Sequence, residues 1–118
     1  MLLNERFTKN ERLRKEKEFK KVFNCGRKKR DKSFTVFNVS SSGKKVGIII
    51  SRYIKGSIIR NKLKRRLRDI YRKNKDCFNG ETIVIAYPGA EKLTYSEMKN
   101  DVLKLISLTK DKITADKR

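Results

Sequence analysis

The sequence predicts an α+β fold in which three helices pack on a small β-sheet. Three short segments alternate apolar and polar residues, as strands do, and three longer segments repeat apolar residues every three or four positions, as helices do. Their order along the chain is helix, strand, strand, helix, strand, helix. A chain of 118 residues has room for one modest core. We therefore expect a single domain over 1–118, with its core at about 12–108 and flexible basic termini.

The first helix follows a polar arm, residues 1–12. From Leu13 onward, apolar residues recur at helical spacing, and Gly26 stands where a helix commonly ends in a left-handed residue. The recurring residues are Phe19, Val22 and Phe23. The basic segment 27–32 then predicts a loop.

Segments 33–39, 45–51 and 82–87 predict the strands. In the first of them, Phe34 and Phe37 fall on opposite faces. The second ends in isoleucines on both faces, so we expect it to be central in the sheet. The second and third strands flank a helix, and such a unit normally joins parallel strands by a right-handed crossover.

Residues 57–75 predict the second helix, with Ser57 as its N-cap. At about 100° per residue, one stripe of this helix is apolar: Ile59, Leu63, Leu67 and Ile70. The opposite face carries Asn61, Lys64, Arg65, Arg68 and Arg72.

The third helix begins at a capping box formed by Thr94 and Glu97. Its apolar stripe contains Met98, Val102, Leu105 and Ile106. From about Lys110 the tail is polar, and we expect it to fray.

The net charge of the chain limits the kinds of partner that it can bind. Lysine and arginine number 33 against 13 aspartate and glutamate, a net charge of +20, so the domain repels itself unless a polyanion binds it. Nucleic acid is the first candidate and an anionic membrane the second. No apolar run approaches the roughly 20 residues that a membrane span needs. The first residues lack the apolar stretch of a signal peptide, so we expect a cytoplasmic protein.

Several kinds of chemistry are not expected. The chain has no histidine, and Cys25 and Cys77 lack the spacing of metal ligands, so we predict no zinc site and two reduced, semi-buried thiols. No nucleophile motif, no phosphate-binding glycine loop and no carboxylate pair spaced for a metal-dependent nuclease is present. The chain is therefore not expected to carry an active site of its own.

The basic segment 60–68 is the strongest functional signal, since six of its nine residues are cationic. Asp69 is the only acid between Arg60 and Lys75, against nine cations. A solvated surface helix would interleave acids at i,i+4, so this face predicts contact with nucleic acid phosphates. Asn61 both donates and accepts hydrogen bonds, which suits a sugar hydroxyl, a base edge or a hydrated metal ion.

Phe19, Phe23 and Phe37 leave two interpretations open. Phenylalanines in a helix stripe or a strand most often pack in a core. Basic segments flank all three, however, and aromatic rings can stack unpaired bases at roughly 1–3 kcal/mol each. A groove with an aromatic floor and cationic rims would suit a single strand.

With these residues in view, the chain resembles the bacterial ribonuclease P protein component. That family carries Arg-Asn-x-x-Lys-Arg-x-x-Arg on its central helix, matched here by Arg60, Asn61, Lys64, Arg65 and Arg68. Segments 18–26 (EFKKVFNCG), 46–61 (VGIIISRYIKGSIIRN), 82–90 (TIVIAYPGA) and 93–106 (LTYSEMKNDVLKLI) are also similar. The resemblance covers roughly residues 12–108.

The resemblance implies a fold like that of the second domain of ribosomal protein S5. In this fold a small mixed β-sheet and three helices form a two-layer sandwich, with a left-handed β-α-β crossover in place of the right-handed default. It also implies a function. The family's catalyst is an RNA subunit that uses Mg²⁺, and the protein, a monomer within the holoenzyme, binds this RNA and the 5′ leader of precursor tRNA, so that the leader is removed.

Site residues follow from the resemblance by position. Phe19, Phe23 and Phe37 would line a leader-binding cleft between the first helix and the sheet. The residues that would face the RNA subunit are Arg52, Lys55, Arg60, Asn61, Lys64, Arg65, Arg68 and Arg72, with a hydrated Mg²⁺ near Asn61 as a further expectation.

The chain departs from the family pattern at a few positions. Many relatives have two lysines where this chain has Arg52 and Tyr53, and an arginine where it has Lys62. Tyr53 could stack on a base or pack on the sheet. Many relatives have tyrosine at the position of Phe37. Phenylalanine lacks the hydroxyl there but keeps the ring available for stacking.

Two other functions stay open. A structural RNA-binding protein of ribosomal type would bind RNA without affecting tRNA processing. An anionic-membrane binder would need an exposed apolar face beside its cations.

Overall fold

A computed structural model describes residues 11–40 and 43–116 of the chain. Within these ranges it contains three α-helices and four β-strands, which confirms the predicted α+β class. The helices are α1 (Glu16–Cys25), α2 (Ser57–Lys73) and α3 (Tyr95–Asp116). The strands are β1 (Arg27–Arg30), β2 (Phe34–Val39), β3 (Lys45–Ile50) and β4 (Glu81–Ala86). None of these helices is long and apolar enough to cross a membrane.

The strands form one mixed sheet in the order β1-β2-β4-β3. β2 pairs antiparallel with β1 and β4, and β3 runs parallel to β4. The prediction that segment 45–51 is central is therefore wrong, because β4 lies between β2 and β3. The outer edge of β3 is partly covered, since the Leu13 amide donates to the Val46 carbonyl over 3.1 Å and Arg12 forms a bridge to Val46. The left-handed sense of the β3-α2-β4 crossover stays a prediction.

Most of the basic segment 27–32, predicted as a loop, is the edge strand β1. Lys28 lies opposite Phe37 and Arg30 opposite Thr35 in the register with β2. Four successive cations show no apolar alternation, so the pattern hides the strand. An edge strand nevertheless needs backbone pairing on one side only, and cations are common there because they discourage edge-to-edge association.

The two faces of the sheet contribute to different cores. The main core lies between one face and the helices α2 and α3, and includes Phe34, Val36, Val84, Leu67, Ile70, Val102 and Ile106. On the other face, α1 covers a smaller cluster of Leu13, Val22 and Ile83. The sheet therefore has helices on both faces, because strand residues such as Phe37 and Ile85 also present apolar surface on the α1 side.

Two predicted helix ends differ in the structure. Gly26 follows α1 with an extended backbone (φ −79°) rather than a left-handed one. A Cβ at this position would lie 2.4 Å from the Val22 carbonyl oxygen, so glycine is needed for close approach. At α2, the N-cap is Gly56 with φ 95°, and Ser57, the predicted N-cap, is the first helical residue.

The start of α3 agrees with its prediction. The Glu97 amide donates to the Thr94 hydroxyl over 3.1 Å, and the Thr94 amide donates to the Glu97 carboxylate over 2.9 Å, which confirms the capping box. The helix continues to Asp116, so the backbone does not leave the helix at Lys110 as expected.

The segment before α1 is anchored to the main fold. α1 begins at Glu16 rather than Leu13, and Leu13 is instead a buried member of the smaller core. Glu11 accepts a hydrogen bond from the Tyr71 hydroxyl over 2.6 Å and forms an ion pair with Lys75 at 3.0 Å. The rest of the predicted flexible arm lies outside the described residues.

Candidate nucleic-acid interface

α2 buries one stripe of side chains against the sheet and α3. Leu63, Leu67 and Ile70 of the predicted stripe are buried, and Tyr71 joins them. Ile59, also placed on this stripe, is 42% exposed because it lies at the first turn, before the helix reaches the core.

The opposite face of α2 presents cations to solvent. Asn61, Arg65 and Arg68 are exposed, and Lys64 is half-buried. Among the described residues, no carboxylate lies within ion-pair distance of Lys64, Arg65 or Arg68. The sequence from 51 to 68 contains no acid at all. Because no internal partner neutralises these charges, the face is available to an external polyanion.

Arg60 differs from the other motif residues because its guanidinium is engaged inside the protein. It donates hydrogen bonds to the carbonyls of Ser51 (2.6 Å), Ile54 (3.0 Å) and Ile50 (3.1 Å). These bonds tie the first turn of α2 to the end of β3 and to the connection that follows it. The structure thus gives Arg60 a part in shaping the interface.

Arg72, also predicted on the RNA-facing surface, is paired with Asp69. Lys73 is a second partner of Asp69 at 3.3 Å, and the Tyr95 hydroxyl donates to the same carboxylate over 2.9 Å. Burial alone would raise the pKa of Asp69, but the hydrogen bonds from Arg72, Tyr95 and Lys73 together hold it below the ordinary value. The C-terminal end of the cationic face is therefore partly neutralised.

The connection between β3 and α2 carries the other predicted cations. Arg52 and Lys55 are both exposed. Tyr53 is 65% exposed, so it does not pack on the sheet, which was one of its two predicted roles.

The structure brings the three predicted phenylalanines together. The ring centres of Phe19 and Phe23 are 6.4 Å apart, and those of Phe23 and Phe37 are 5.0 Å apart in an edge-to-face arrangement. Phe19 and Phe37 are half-buried against the smaller core, whereas Phe23 is 38% exposed. The rings thus form a continuous aromatic patch, part core and part surface, between α1 and the sheet.

Further residues that the sequence analysis did not single out border this patch. The Lys28 ammonium lies 5.7 Å from the Phe37 ring centre. The Arg30 guanidinium lies 4.6 Å from the Tyr87 ring centre, and the Thr35 hydroxyl donates to the Tyr87 hydroxyl over 3.0 Å. The sequence analysis missed these cations because it predicted a loop at 27–32. A strand at 27–30 places Lys28 and Arg30 beside Phe37 and Thr35. Aromatic rings edged by cations can stack bases and hold phosphates together.

An ion pair fixes α1 beside this patch. The Lys45 ammonium lies 2.6 Å from the Glu18 carboxylate, which also accepts the amides of Arg14 (3.0 Å) and Lys15 (3.1 Å). Chiefly through the Lys45 hydrogen bond, these contacts lower the pKa of Glu18 to about 2. The carboxylate therefore stays ionised and caps α1 at neutral pH.

The acidic and cysteine side chains of the described residues do not cluster. Within the described parts of the chain, no group of three or more histidine, cysteine, aspartate or glutamate residues could hold a metal ion. The acid nearest to Asn61 along α2 is Asp69, which is already held by cations. The hydrated Mg²⁺ expected near Asn61 stays a prediction. Both cysteines are free thiols, and Cys25, at the end of α1, is exposed rather than semi-buried.

Comparisons with known proteins agree with this geometry. The family model for ribonuclease P matches residues 7–110. A ribonuclease P protein component from Streptococcus pneumoniae (strain Hungary19A-6) is 32% identical over 106 residues, covering 86% of each chain. The RNase P protein from Thermotoga maritima has a TM-score of 0.72 at 26% identity, covering 81% of this chain and 94% of that chain. An RNase P protein mutant from Staphylococcus aureus matches the fold with a TM-score of 0.80 at 24% identity, covering 86% and 90% of the two chains. The chain belongs to the ribonuclease P protein family, as the protein component of that RNA-containing endoribonuclease.

Proposed function

We propose that this protein component binds the ribonuclease P RNA through α2 and the 5′ leader of precursor tRNA through the aromatic patch. The observation that carries the proposal is the presence of two surfaces of different chemistry on one small domain. One is an uncompensated cationic helix face and the other a cluster of phenylalanine rings edged by cations. The α2 helix packs on one face of the sheet and the patch lies on the other, so both surfaces can be occupied at once.

Binding of the RNA subunit is supported by the acid-free segment 51–68. Arg52, Lys55, Lys64, Arg65 and Arg68 supply positive charge, and Asn61 supplies an amide that can address a ribose or a base edge. Arg60 shapes the connection that presents these side chains, through its three carbonyl contacts. Arg72 lies at the margin of the surface because Asp69 holds it.

Binding of the leader is supported by the chemistry of the patch. A leader varies in sequence between precursors, so hydrogen bonds to particular base edges would be too selective. Stacking on Phe23 and its neighbours, with Lys28 and Arg30 near the phosphates, would tolerate every base. The sheet and α1 hold the rings in place without a bound strand.

A domain of net charge +20 between two RNAs also relieves their mutual repulsion. In this proposal, Mg²⁺ is bound by the RNA subunit and supplies its catalytic chemistry, while the protein lowers the Mg²⁺ concentration needed to bring the two RNAs together. The proposed place of this reaction is the cytoplasm.

The leader proposal is tested by binding of precursor and mature tRNA to the reconstituted holoenzyme. Phe23→Ala should weaken precursor binding by about tenfold, the loss of one stacked base, and leave mature tRNA binding unchanged. Leu108→Ala serves as the matched control, because Leu108 is an exposed apolar side chain on α3, a helix that carries none of the residues assigned to either surface. Equal losses for the two tRNAs would rule out a leader-binding patch.

A further inference from the structure

Tyr53 is the most exposed aromatic side chain among the described large hydrophobic residues, at 65%. It lies in the connection between β3 and α2, whereas the residues of the phenylalanine patch belong to α1 and β2. A tyrosine with this exposure buries little of its ring and contributes little to the stability of the fold. Its ring is therefore available to a partner.

The turn that carries Tyr53 is firmly anchored. Ile54 is only 3% exposed, and its amide donates to the Ser51 carbonyl over 3.0 Å. The Tyr53 amide itself donates to the Ser51 hydroxyl over 3.2 Å. Arg60 adds its contacts to the carbonyls on either side of Tyr53, at Ser51 and Ile54. An aromatic ring on such a rigid turn loses little conformational entropy on binding.

The surroundings of the ring define the kind of partner. The Arg52 guanidinium lies 5.3 Å from the ring centre and donates to the Tyr53 hydroxyl over 3.3 Å. Lys55 is exposed in the same turn, and Ile58, in the first turn of α2, is 83% exposed. A flat ring beside cations, with no acid from 51 to 68, fits a flat group attached to a phosphate.

We propose that Tyr53 is a stacking platform for one unpaired RNA base, with Arg52 and Lys55 on the adjoining phosphates. This inference rests on the proposed function and adds a base-binding position at the β3–α2 turn. The base can come from the ribonuclease P RNA or from the single-stranded leader, since both offer the same chemistry. A nucleotide could then stack its base on the ring while its phosphate contacts the neighbouring cations.

The test compares Tyr53→Ala with Tyr53→Phe, which keeps the ring. Affinity is measured for the ribonuclease P RNA alone, and then for precursor and mature tRNA with the holoenzyme, at several salt concentrations. Tyr53→Ala should weaken one of these interactions by about tenfold without changing its salt slope, and Tyr53→Phe should restore it. A loss confined to the RNA subunit, or to precursor tRNA, identifies the source of the base.

A spectroscopic readout tests stacking independently. The chain has no tryptophan, so Tyr53→Trp introduces a single tryptophan, whose fluorescence can be excited separately from that of the tyrosines. Leu108→Trp places the same fluorophore on α3 as a control. The bound RNA should quench the tryptophan at 53 and not the one at 108.

Three outcomes would overturn the platform. In the first, the wild-type protein promotes leader removal, but Tyr53→Ala binds every RNA with wild-type affinity. The proposed function then stands without the platform. In the second, Tyr53→Ala loses binding to phosphatidylglycerol vesicles instead of RNA, which identifies a membrane contact. In the third, the wild-type protein binds no ribonuclease P RNA, and the proposed function fails together with the platform.

Discussion

Arg60, Arg66 and Arg72 all lie on α2, and each guanidinium is bonded to another group of the protein. Arg60 bonds to the carbonyls of the β3–α2 connection, Arg66 donates to the Leu93 carbonyl over 3.3 Å, and Arg72 pairs with Asp69. Arg65 and Arg68, by contrast, are exposed. Substitutions at these arginines should therefore affect different properties of the protein.

Arg60→Ala should lower the free energy of unfolding by about 2 kcal/mol, because it leaves part-buried carbonyls without their charged donor. Arg65→Ala removes an exposed side chain and should change stability by less than about 0.5 kcal/mol. Urea denaturation of both variants measures the difference. Equal stabilities would show that the Arg60 contacts do not stabilise the fold.

Glu18 provides a pH-dependent contribution to stability. Its pKa is about 2 in the folded protein against an ordinary 4.5, so folding favours the ionised form. The stabilisation is complete above the unfolded-state pKa and is lost as pH falls toward the folded-state pKa. Glu18→Gln should therefore lower the melting temperature at pH 7, and its difference from the wild type should shrink as pH falls from 5 toward about 2. Glu16→Gln, in the same helical turn, is the control. A pH-independent difference would contradict this role.

At the scale of elements, α1 packs closely on the sheet because β3 has a glycine, Gly47, where it contacts Phe19 of α1. A Cβ on Gly47 would lie 2.7 Å from Cε1 of Phe19 and 2.9 Å from its Cζ. The glycine therefore sets how closely α1, and with it the aromatic patch, approaches the strands.

Gly47→Ala should displace the Phe19 ring and destabilise the protein by about 1–3 kcal/mol, as overpacking does. Thermal unfolding measures the stability, and leader affinity should fall in the same variant. Gly43→Ala is the matched control, because a Cβ there meets nothing within 4 Å. If both variants were equally stable, α1 would not depend on this close approach.

The α2 face makes a second prediction at this scale. Arg65→Ala and Arg68→Ala should each flatten the plot of log K against log salt for the RNA subunit by about 0.7–0.9. Arg72→Ala should flatten it less, because Asp69 already neutralises that guanidinium. The slopes come from binding titrations at several salt concentrations. An equal reduction for all three arginines would show that the Asp69 pair opens when RNA binds.

Periodicity was sufficient to predict α2, α3 and strands β2 to β4, because their apolar residues repeat with the period of the element. It failed for β1, whose four cations are held by backbone pairing rather than by burial. It also could not separate Arg60 from Arg65, since both are cations in one motif and only tertiary contacts distinguish them. For Phe19, Phe23 and Phe37 the residues alone left a groove and core packing both open, and the family resemblance favoured the groove, because a sequence pattern does not bring α1 and β2 into contact.

For RNA binding by the whole molecule, the distribution of charge over the surface matters more than the net charge. Glu11 and Asp69 pair with cations at or just after the C-terminal end of α2, and Glu18 pairs with Lys45 beside α1. The acid-free segment 51–68 keeps its charge unpaired apart from the engaged Arg60 and Arg66. A domain charged in this way can join two RNAs that otherwise repel each other.

The most direct test of this account is cleavage of precursor tRNA by a bacterial ribonuclease P RNA at low Mg²⁺, with and without the protein. We expect the 5′ leader to be removed only when both RNA and protein are present, because the protein replaces part of the charge screening that high Mg²⁺ would supply. If the protein binds RNA but leaves cleavage unchanged, the account is contradicted, and a structural RNA-binding role would explain the two surfaces instead.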